Sequence, residues 1–417
     1  MNGHTIVVDL GYGDAGKGRV VDLLCDRSAV AAVVRFNGGA QAAHNVVLPD
    51  GRHHTFAQFG AGTFRGVPTH LSRFVVVDPL ALAAEAAHLV TVGVPDPFAL
   101  LTIEEDALLA TPWHRAANQV RERQRGADRH GSCGLGVGET VAYALAHPGE
   151  APRVGDVRDP VRLRQRLVAV RDRLTASVGA LPAPEPDAVL AVFAAFRDAV
   201  RIVDQGFLAD ALRRGPCVFE GAQGVLLDEW FGWHPHTTWS TTTFANALTL
   251  LGSAPAARLG VVRTYTTRHG AGPLVTEDSG LRLPEPHNGT GEWQGAFRRG
   301  HFDAPAHRYA TEVCGGVDAL AVTHLDAPVR EPALGICTSY RDLARIPVGR
   351  RGDLSAQERL TTALTRTTAR GWVRPDDWAD TIGELLGAPV VLGTDSPSGP
   401  PAFRRAEIGR ASCRERV

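Results

Sequence analysis

The sequence predicts an α/β fold with a large, mostly parallel central sheet flanked by helices. Three observations carry this. Apolar, β-branched runs alternate with longer stretches of helical spacing along the 417 residues, the pattern of βα units whose strands are buried on both faces. Hydrophobic residues make up 44% of the chain against 21% charged, ample core for one large domain. The first strand-like run also leads through a glycine-rich turn into a helix, the kind of junction at which such sheets bind ligands.

The elements follow in order. Residues 4–10 (HTIVVDL) read as a buried strand, and 17–25 as the helix after the glycine turn. Residues 31–36 give a second strand and 73–78 a third, while 79–93 place apolar residues at helical spacing. Further strands are expected at 217–221, 259–267 and 319–326, and further helices at 160–176, 187–213 and 303–315. The proline-rich stretch 180–187 is flanked by helices and reads as a surface loop. No internal repeat interrupts the pattern, so 1–406 reads as a single domain. The ending EIGRASCRERV (407–417) has no apolar period and a sudden density of arginine. It matches a common sequencing adapter translated in frame, and reads as a non-native tail on a natural chain cut near Ala406.

Charge and cysteine usage narrow the function classes. With 44 Lys+Arg against 45 Asp+Glu, the net charge is -1, which gives no electrostatic case for binding nucleic acid or a membrane. Cysteines 25, 133, 217, 314, 337 and 413 are scattered without a CxxC pair. That suits reduced thiols in the cytoplasm and argues against structural zinc. The N-terminus lacks the basic region and long apolar core of a signal peptide. No uncharged apolar run approaches the roughly 18 residues that a transmembrane helix needs.

Lys17 is the only lysine; the other 43 of the 44 Lys+Arg residues are arginine. It sits in GYGDAGKGR (11–19), where a strand passes through glycines into a helix. Such a turn is built to cradle phosphate: glycines let backbone N–H groups approach the anion, and the helix N-terminus adds partial positive charge. A compact ammonium serves there as a point charge, which a planar guanidinium does not replace. The spacing is shorter than GxxxxGK[ST], so the fold is expected to be P-loop-NTPase-like with a shortened phosphate loop. Asp14 lies inside the loop, where phosphates would repel it unless a cation or a substrate proton lay between. It is therefore a candidate Mg²⁺ ligand, a candidate general base, or both.

With YGDAGKGR (12–19) followed by VRFNGGAQAAHNVV (34–47), the chain resembles the adenylosuccinate synthetase family. The resemblance continues in order through HGSCGLGVGE (130–139), RVGD (153–156), FEGAQGVLLD (219–228), TTRHGAGPLVTE (266–277) and THLD (323–326). It implies a homodimeric cytoplasmic C–N ligase that joins L-aspartate to IMP with GTP and Mg²⁺, through a 6-phosphoryl purine. By resemblance, Asp14 is the base for the purine N1 proton and a Mg²⁺ ligand, with the Ala43 carbonyl as a second ligand. His44 is the proton donor beside the γ-phosphate, and Lys17 and Gln223 complete the catalytic set. GTP falls to Gly13, Ala15, Gly16, Lys17, Gly18 and His44, with His324 and Asp326 at the guanine. IMP falls to Asp14, Gln41, Ser132, Cys133, Gln223 and Thr238, and the aspartate to Arg298 and Arg299.

The chain departs from the family's pattern at several points. Gln41 replaces an asparagine that touches the nucleotide, and Ala43 a glycine, so its carbonyl serves only if φ is below zero there. Cys133 replaces a threonine, His324 a lysine, and a trans-dimer arginine before RVGD has no counterpart but His147. The aspartate loop reads NGTGEWQGAFRRGHFD (288–303) in place of an arginine-rich Thr-Gly-Arg run. Two further readings follow: a divergent ligase using another purine or amine, and a nucleotide-binding regulatory homologue without turnover. Retention of Asp14 and His44 argues against the latter. His234 and His236 are expected on one face of a strand, without a visible third zinc ligand. Trp230, Trp233 and Trp239 beside them read as core or interface more readily than as a purine stack.

Overall fold

The structure, a computed structural model, describes residues 3–126, 129–285 and 288–395, and the backbone of 401–403. The expected tail at 407–417, with Cys413, lies outside the described residues. The central sheet has ten strands in the order Pro401–Phe403, Val390–Thr394, Ala319–Thr323, Ala256–Arg263, His4–Asp9, Cys217–Glu220, Ala32–Arg35, Thr69–Leu71, Leu101–Glu104 and Arg201–Val203. Every neighbouring pair is parallel except the first, which is antiparallel.

Side-chain alternation explains the apolar runs. Val7 packs into one core with Val33, Leu259, Val261 and Ala321. Its neighbours Ile6 and Val8 pack into the other with Val34, Val262 and Leu320. Each central strand is thus apolar on both faces, as a helix-covered parallel sheet demands. The helices begin where their chemistry dictates. Asp78 caps Pro79–Thr91 by accepting from the N–H groups of Leu80 and Ala81, with proline at the first position. Asp159 caps Pro160–Val178 by accepting from the Arg162 N–H, and Asp303 caps Ala304–Val313 by accepting from the Ala306 N–H.

Four expected elements differ. The third strand of the sheet in sequence is Thr69–Leu71; the expected run 73–78 contributes only Val76–Val77, paired outside the main sheet with Leu108–Leu109. The expected helix 187–213 is two helices, Pro186–Ala199 and Gly206–Arg214. Between them Arg201–Val203 adds the edge strand beside Leu101–Glu104, so tertiary pairing overrides helical spacing there. The expected strand 259–267 ends in the sheet at Arg263. A second strand, Thr266–His269, leaves to pair with Phe297–Gly300. His234 and His236 lie in a turn, not on a strand.

Candidate active site

The phosphate loop is organised by a residue that nothing in the sequence reading marks. Asp9 ends the central strand and is 1% exposed. Its carboxylate accepts from the N–H groups of Gly11 at 2.7 Å, Gly13 at 3.3 Å and Ala15 at 2.8 Å, and from the Lys17 ammonium at 3.1 Å. Lys17 donates a second bond to the Gly13 carbonyl at 2.7 Å and is itself buried. The lone lysine therefore neutralises a buried carboxylate beneath the loop. A carboxylate closing a strand just before a glycine turn is the signal that could have found Asp9. Gly16, at φ 92°, opens the helix Lys17–Arg27 in a left-handed conformation that favours glycine. The loop is tied from outside as well: Thr323 donates to the Ala15 carbonyl at 2.7 Å, and Arg263 to the Asp14 carbonyl at 3.0 Å.

His44 begins the short strand His44–Val47, which lies across the first turn of that helix. Its Nδ1 is 2.6 Å from Glu220 Oε1, at the end of the neighbouring sheet strand Cys217–Glu220. Glu220 also accepts from the Ala61 N–H at 2.9 Å. Burial would raise the Glu220 carboxyl, but the Arg35 charge and the His44 bond outweigh it and hold it below its ordinary range. Burial pushes His44 down to about 4, partly opposed by Glu220. The substrate-free imidazole is therefore neutral, with its proton on Nδ1 facing an acceptor-only carboxylate. That leaves Nε2, buried and without a hydrogen-bond partner, on the cavity wall.

The cavity measures about 680 Å³ and opens where the strands His4–Asp9, Cys217–Glu220 and Ala32–Arg35 end. Of the expected residues, Gly13, Asp14, Ala43, His44 and Gln223 line it. Gln41, Ser132, Cys133 and Thr238 line it too. Asn37 clamps the two flanking turns together: its side chain donates to the Ala222 carbonyl at 2.9 Å and accepts from the Ala222 N–H at 2.7 Å. Next to that clamp, Gln223 is held at φ 58° with Oε1 buried and unpartnered. Both amide atoms of Gln41 are likewise buried without partners. Burial raises the Cys133 thiol, so it meets a ligand as a neutral, weak donor. Its neighbour Ser132 is the stronger donor, already within 2.9 Å of the Asn118 amide.

The remaining expected residues lie off the cavity wall. Ala15, Gly16, Lys17 and Gly18 stand behind Gly13 and Asp14, in the loop and first helical turn. His324 and Asp326 follow the strand Ala319–Thr323, two strands away from His4–Asp9. His324 takes φ 57°, and burial holds its imidazole neutral. Asp326 Oδ2 pairs with Arg330 at 2.8 Å, while Oδ1 is buried and unpartnered. Arg298 donates to Glu277 and to the carbonyls of Gly270 and Gly272, and Arg299 to the carbonyl of Leu283. His147 caps the C-terminus of Val137–Ala146 with its ring beside Tyr143. Trp233 is core, with its N–H on the Tyr12 hydroxyl, whereas Trp230 and Trp239 line the cavity.

Sequence reasoning also misses His269. Its Nε2 is 3.4 Å from Asp14 Oδ2, and it lines the cavity beside it. Burial alone would raise the Asp14 carboxyl. The His269 bond and the Arg263 and Lys17 charges prevail, so Asp14 is held ionised below the ordinary range. An ionised carboxylate facing a cavity fits Mg²⁺, which prefers one or two protein oxygens plus phosphate and water. The Ala43 carbonyl fits too: Ala43 lines the same wall, and among the described residues the positive-φ residues other than glycine are Gln223 and His324.

A carboxylate held ionised and an imidazole nitrogen held open face one cavity at the end of a glycine loop on a parallel sheet, an arrangement that can take a proton and meet an anion, as a phosphoryl-transfer or ligase site requires. The comparisons narrow the class. The family profile described as adenylosuccinate synthetase matches residues 6–384. The adenylosuccinate synthetase of Marinomonas sp. is 34% identical over 363 residues, covering 84% of this chain and 82% of its own. That of Thermobifida fusca is 35% identical over 343 residues, 79% of each chain. The chain belongs to the adenylosuccinate synthetase family, whose members are C–N ligases. Two solved structures share the fold at 20% identity. The fully ligated adenylosuccinate synthetase of Plasmodium falciparum superposes with a TM-score of 0.81, covering 96% of this chain and 100% of that one. The succinoaminodeoxyadenylate synthetase of cyanophage S-2L, bound to dGMP and dATP, gives 0.63 over 95% and 94%.

Proposed function

We propose that the protein joins L-aspartate to IMP at the expense of GTP, giving adenylosuccinate, and that Asp14 and His44 perform the chemistry. The observation that supports this most is their shared cavity: an ionised Asp14 carboxylate and an unpartnered His44 Nε2 face the same space. Asp14 takes the proton from purine N1, the purine 6-oxygen attacks the γ-phosphorus, and GDP leaves. The aspartate amine then displaces phosphate from carbon 6. His44 is neutral before substrate binds. Triphosphate brings negative charge beside Nε2 and favours the imidazolium, which Glu220 already supports through Nδ1. The Asp14 carboxylate and the Ala43 carbonyl would hold Mg²⁺, which would supply neutralisation of phosphate charge. Gln223 and Gln41 present unpartnered amides to the purine, Ser132, Cys133 and Thr238 take the nucleotide phosphate, and Asp326 Oδ1 reads the guanine. Cytoplasmic location and a homodimer belong to the same reading; sedimentation of the purified protein tests the dimer.

A second reading has its own observation. Arg298 is committed to Glu277 and two carbonyls, and Arg299 to a third. A dicarboxylate would have to draw these guanidinium groups away from their present partners. A ligase that uses the same 6-phosphoryl step with an amine that is not a dicarboxylate makes no such demand, and the step on another purine is the companion variant of this reading. Purified protein with IMP, GTP and Mg²⁺, assayed across amines, separates the two. Aspartate-dependent phosphate release with the absorbance change of a succinylated purine supports the first. Release only with a different amine or purine supports the second, and GTP binding without turnover in any pairing sinks both.

A further inference from the structure

We infer that His269 is a positioning residue for Asp14: it anchors one carboxylate oxygen so that the other is presented to the purine. The inference rests on the reading of Asp14 as the base. Among the described residues, His269 is the one side chain within ion-pair distance of the Asp14 carboxylate, with Nε2 3.4 Å from Oδ2. Both side chains are about a quarter exposed, at 26% and 25%, and both line the cavity. They are not surface groups that meet by chance.

The placement of His269 is itself over-determined. It ends the strand Thr266–His269 and sits opposite Phe297 in the antiparallel register with Phe297–Gly300. The imidazole stands edge-on to the Phe297 ring, with centroids 4.7 Å apart. After it the chain turns through Gly270 at φ 70°, where a Cβ would collide with the Gln294 carbonyl, so the strand end cannot drift toward that loop. One strand earlier, Arg263 holds the backbone of Asp14 through its carbonyl. Main chain and side chain of the base are thus gripped separately, Arg263 on the carbonyl and His269 on Oδ2. Oδ1 is left as the acceptor for the N1 proton, and the second lone pair of Oδ2 would serve Mg²⁺. A carboxylate misplaced by about 1 Å can cost on the order of 100-fold in rate.

The test uses the full-length protein with IMP, GTP and Mg²⁺, and three variants. His269→Leu removes the donor, His269→Gln keeps an N–H, and Phe297→Leu loosens the ring support. Steady-state kinetics are read together with positional isotope exchange in ¹⁸O-labelled GTP, which reports the phosphoryl step without the amine. The expected result for His269→Leu is a roughly 10- to 100-fold fall in kcat and in isotope exchange, with KM values within about twofold. His269→Gln should recover most of it, and Phe297→Leu should lie between. Unchanged exchange in His269→Leu overturns the inference, and so does a loss that His269→Gln does not recover while both variants melt like the parent. A crystal structure of His269→Leu decides the matter without turnover: a rotated Asp14 carboxylate supports the anchor, and an unmoved one overturns it. If the parent protein scrambles no label with any purine, the proposed function fails, while the crystal structure still tests the anchor.

Discussion

Gly18 lies directly beneath His44: a Cβ on Gly18 would stand 2.9 Å from the His44 Cβ and 3.0 Å from its carbonyl carbon. The first turn of the phosphate helix and the strand that carries the imidazole therefore touch backbone to backbone. That contact sets how far Nε2 reaches into the cavity. Gly18→Ala removes a weak helix former, worth about 1 kcal/mol in its favour. Overpacking costs about 1–3 kcal/mol against it. The expected outcome is near-parental stability in denaturant titration with kcat reduced roughly 10-fold or more, because His44 must move to make room.

His44→Ala removes the imidazole itself. Loss of a positioned proton donor typically costs about 10²- to 10⁴-fold, and that range is expected for kcat with GTP and IMP saturating. Glu220→Gln should fall part-way, since the amide still contacts Nδ1 but no longer supports a positive ring. Stopped-flow phosphate release distinguishes the two, and an unchanged rate in Glu220→Gln would contradict a role for its charge.

Lys17 and Asp9 form a buried pair, with 1% and 0% of their side chains exposed. Breaking such a pair by removing one partner costs about 3–5 kcal/mol. Lys17→Met should therefore destabilise by that order in urea titration. Asp9→Asn combined with Lys17→Met should regain part of it. An unchanged midpoint for the single variant would contradict the buried-pair account.

Acid should loosen the fold before it affects the carboxylates of the surface. Burial pushes His70 down to about 4 and His114 to about 3. Above the ordinary histidine value both states are neutral and these groups leave stability unchanged. Below about 6.5 the unfolded chain binds protons that the native imidazoles refuse, so stability falls as the pH drops toward 4, by up to about 1.4 kcal/mol per unit for each group. Asp303, raised to about 6 by burial, opposes this, because its native carboxyl binds a proton before the unfolded one does. His44 and His324, also held neutral by burial, act in the same direction, so the imidazoles outweigh the one carboxyl and leave a net fall. Melting temperatures from pH 7 to 5 check it, and His70→Gln should flatten the slope.

Asp326 offers one buried, unpartnered oxygen, while Arg330 holds the other. Asp326→Asn should raise the KM for GTP by roughly 10-fold or more, since a hydrogen bond to a charged group is worth about 1.5–3 kcal/mol. The kcat should hold. Comparison with inosine triphosphate, which lacks the 2-amino group, reads which guanine contact is lost.

Much of the site was legible because its residues sit in turns at strand ends, where sequence order and spatial order coincide. Asp14, His44 and Gln223 follow three adjacent strands of the sheet, and the glycine turns around them mark each strand end. Asp9 and Glu220 close apolar strands and look like strand termini in sequence; their roles arise from burial, which spacing does not encode. His269 was hidden for another reason. It lies in a strand that leaves the main sheet, so its meeting with Asp14 is purely tertiary. The edge strand Arg201–Val203 follows the helix Pro186–Ala199 after a single residue, so the sequence carries no break between them.

The bond from the Thr323 hydroxyl to the Ala15 carbonyl fastens the phosphate loop to the strand that leads, three residues on, to Asp326. With Asp326 at the guanine, as proposed, both ends of a bound nucleoside triphosphate are gauged against one rigid span, and the sheet works as a ruler. A nucleotide one phosphate shorter, seated by its base, ends short of His44 and cannot start the reaction; one seated by its phosphates forfeits its base.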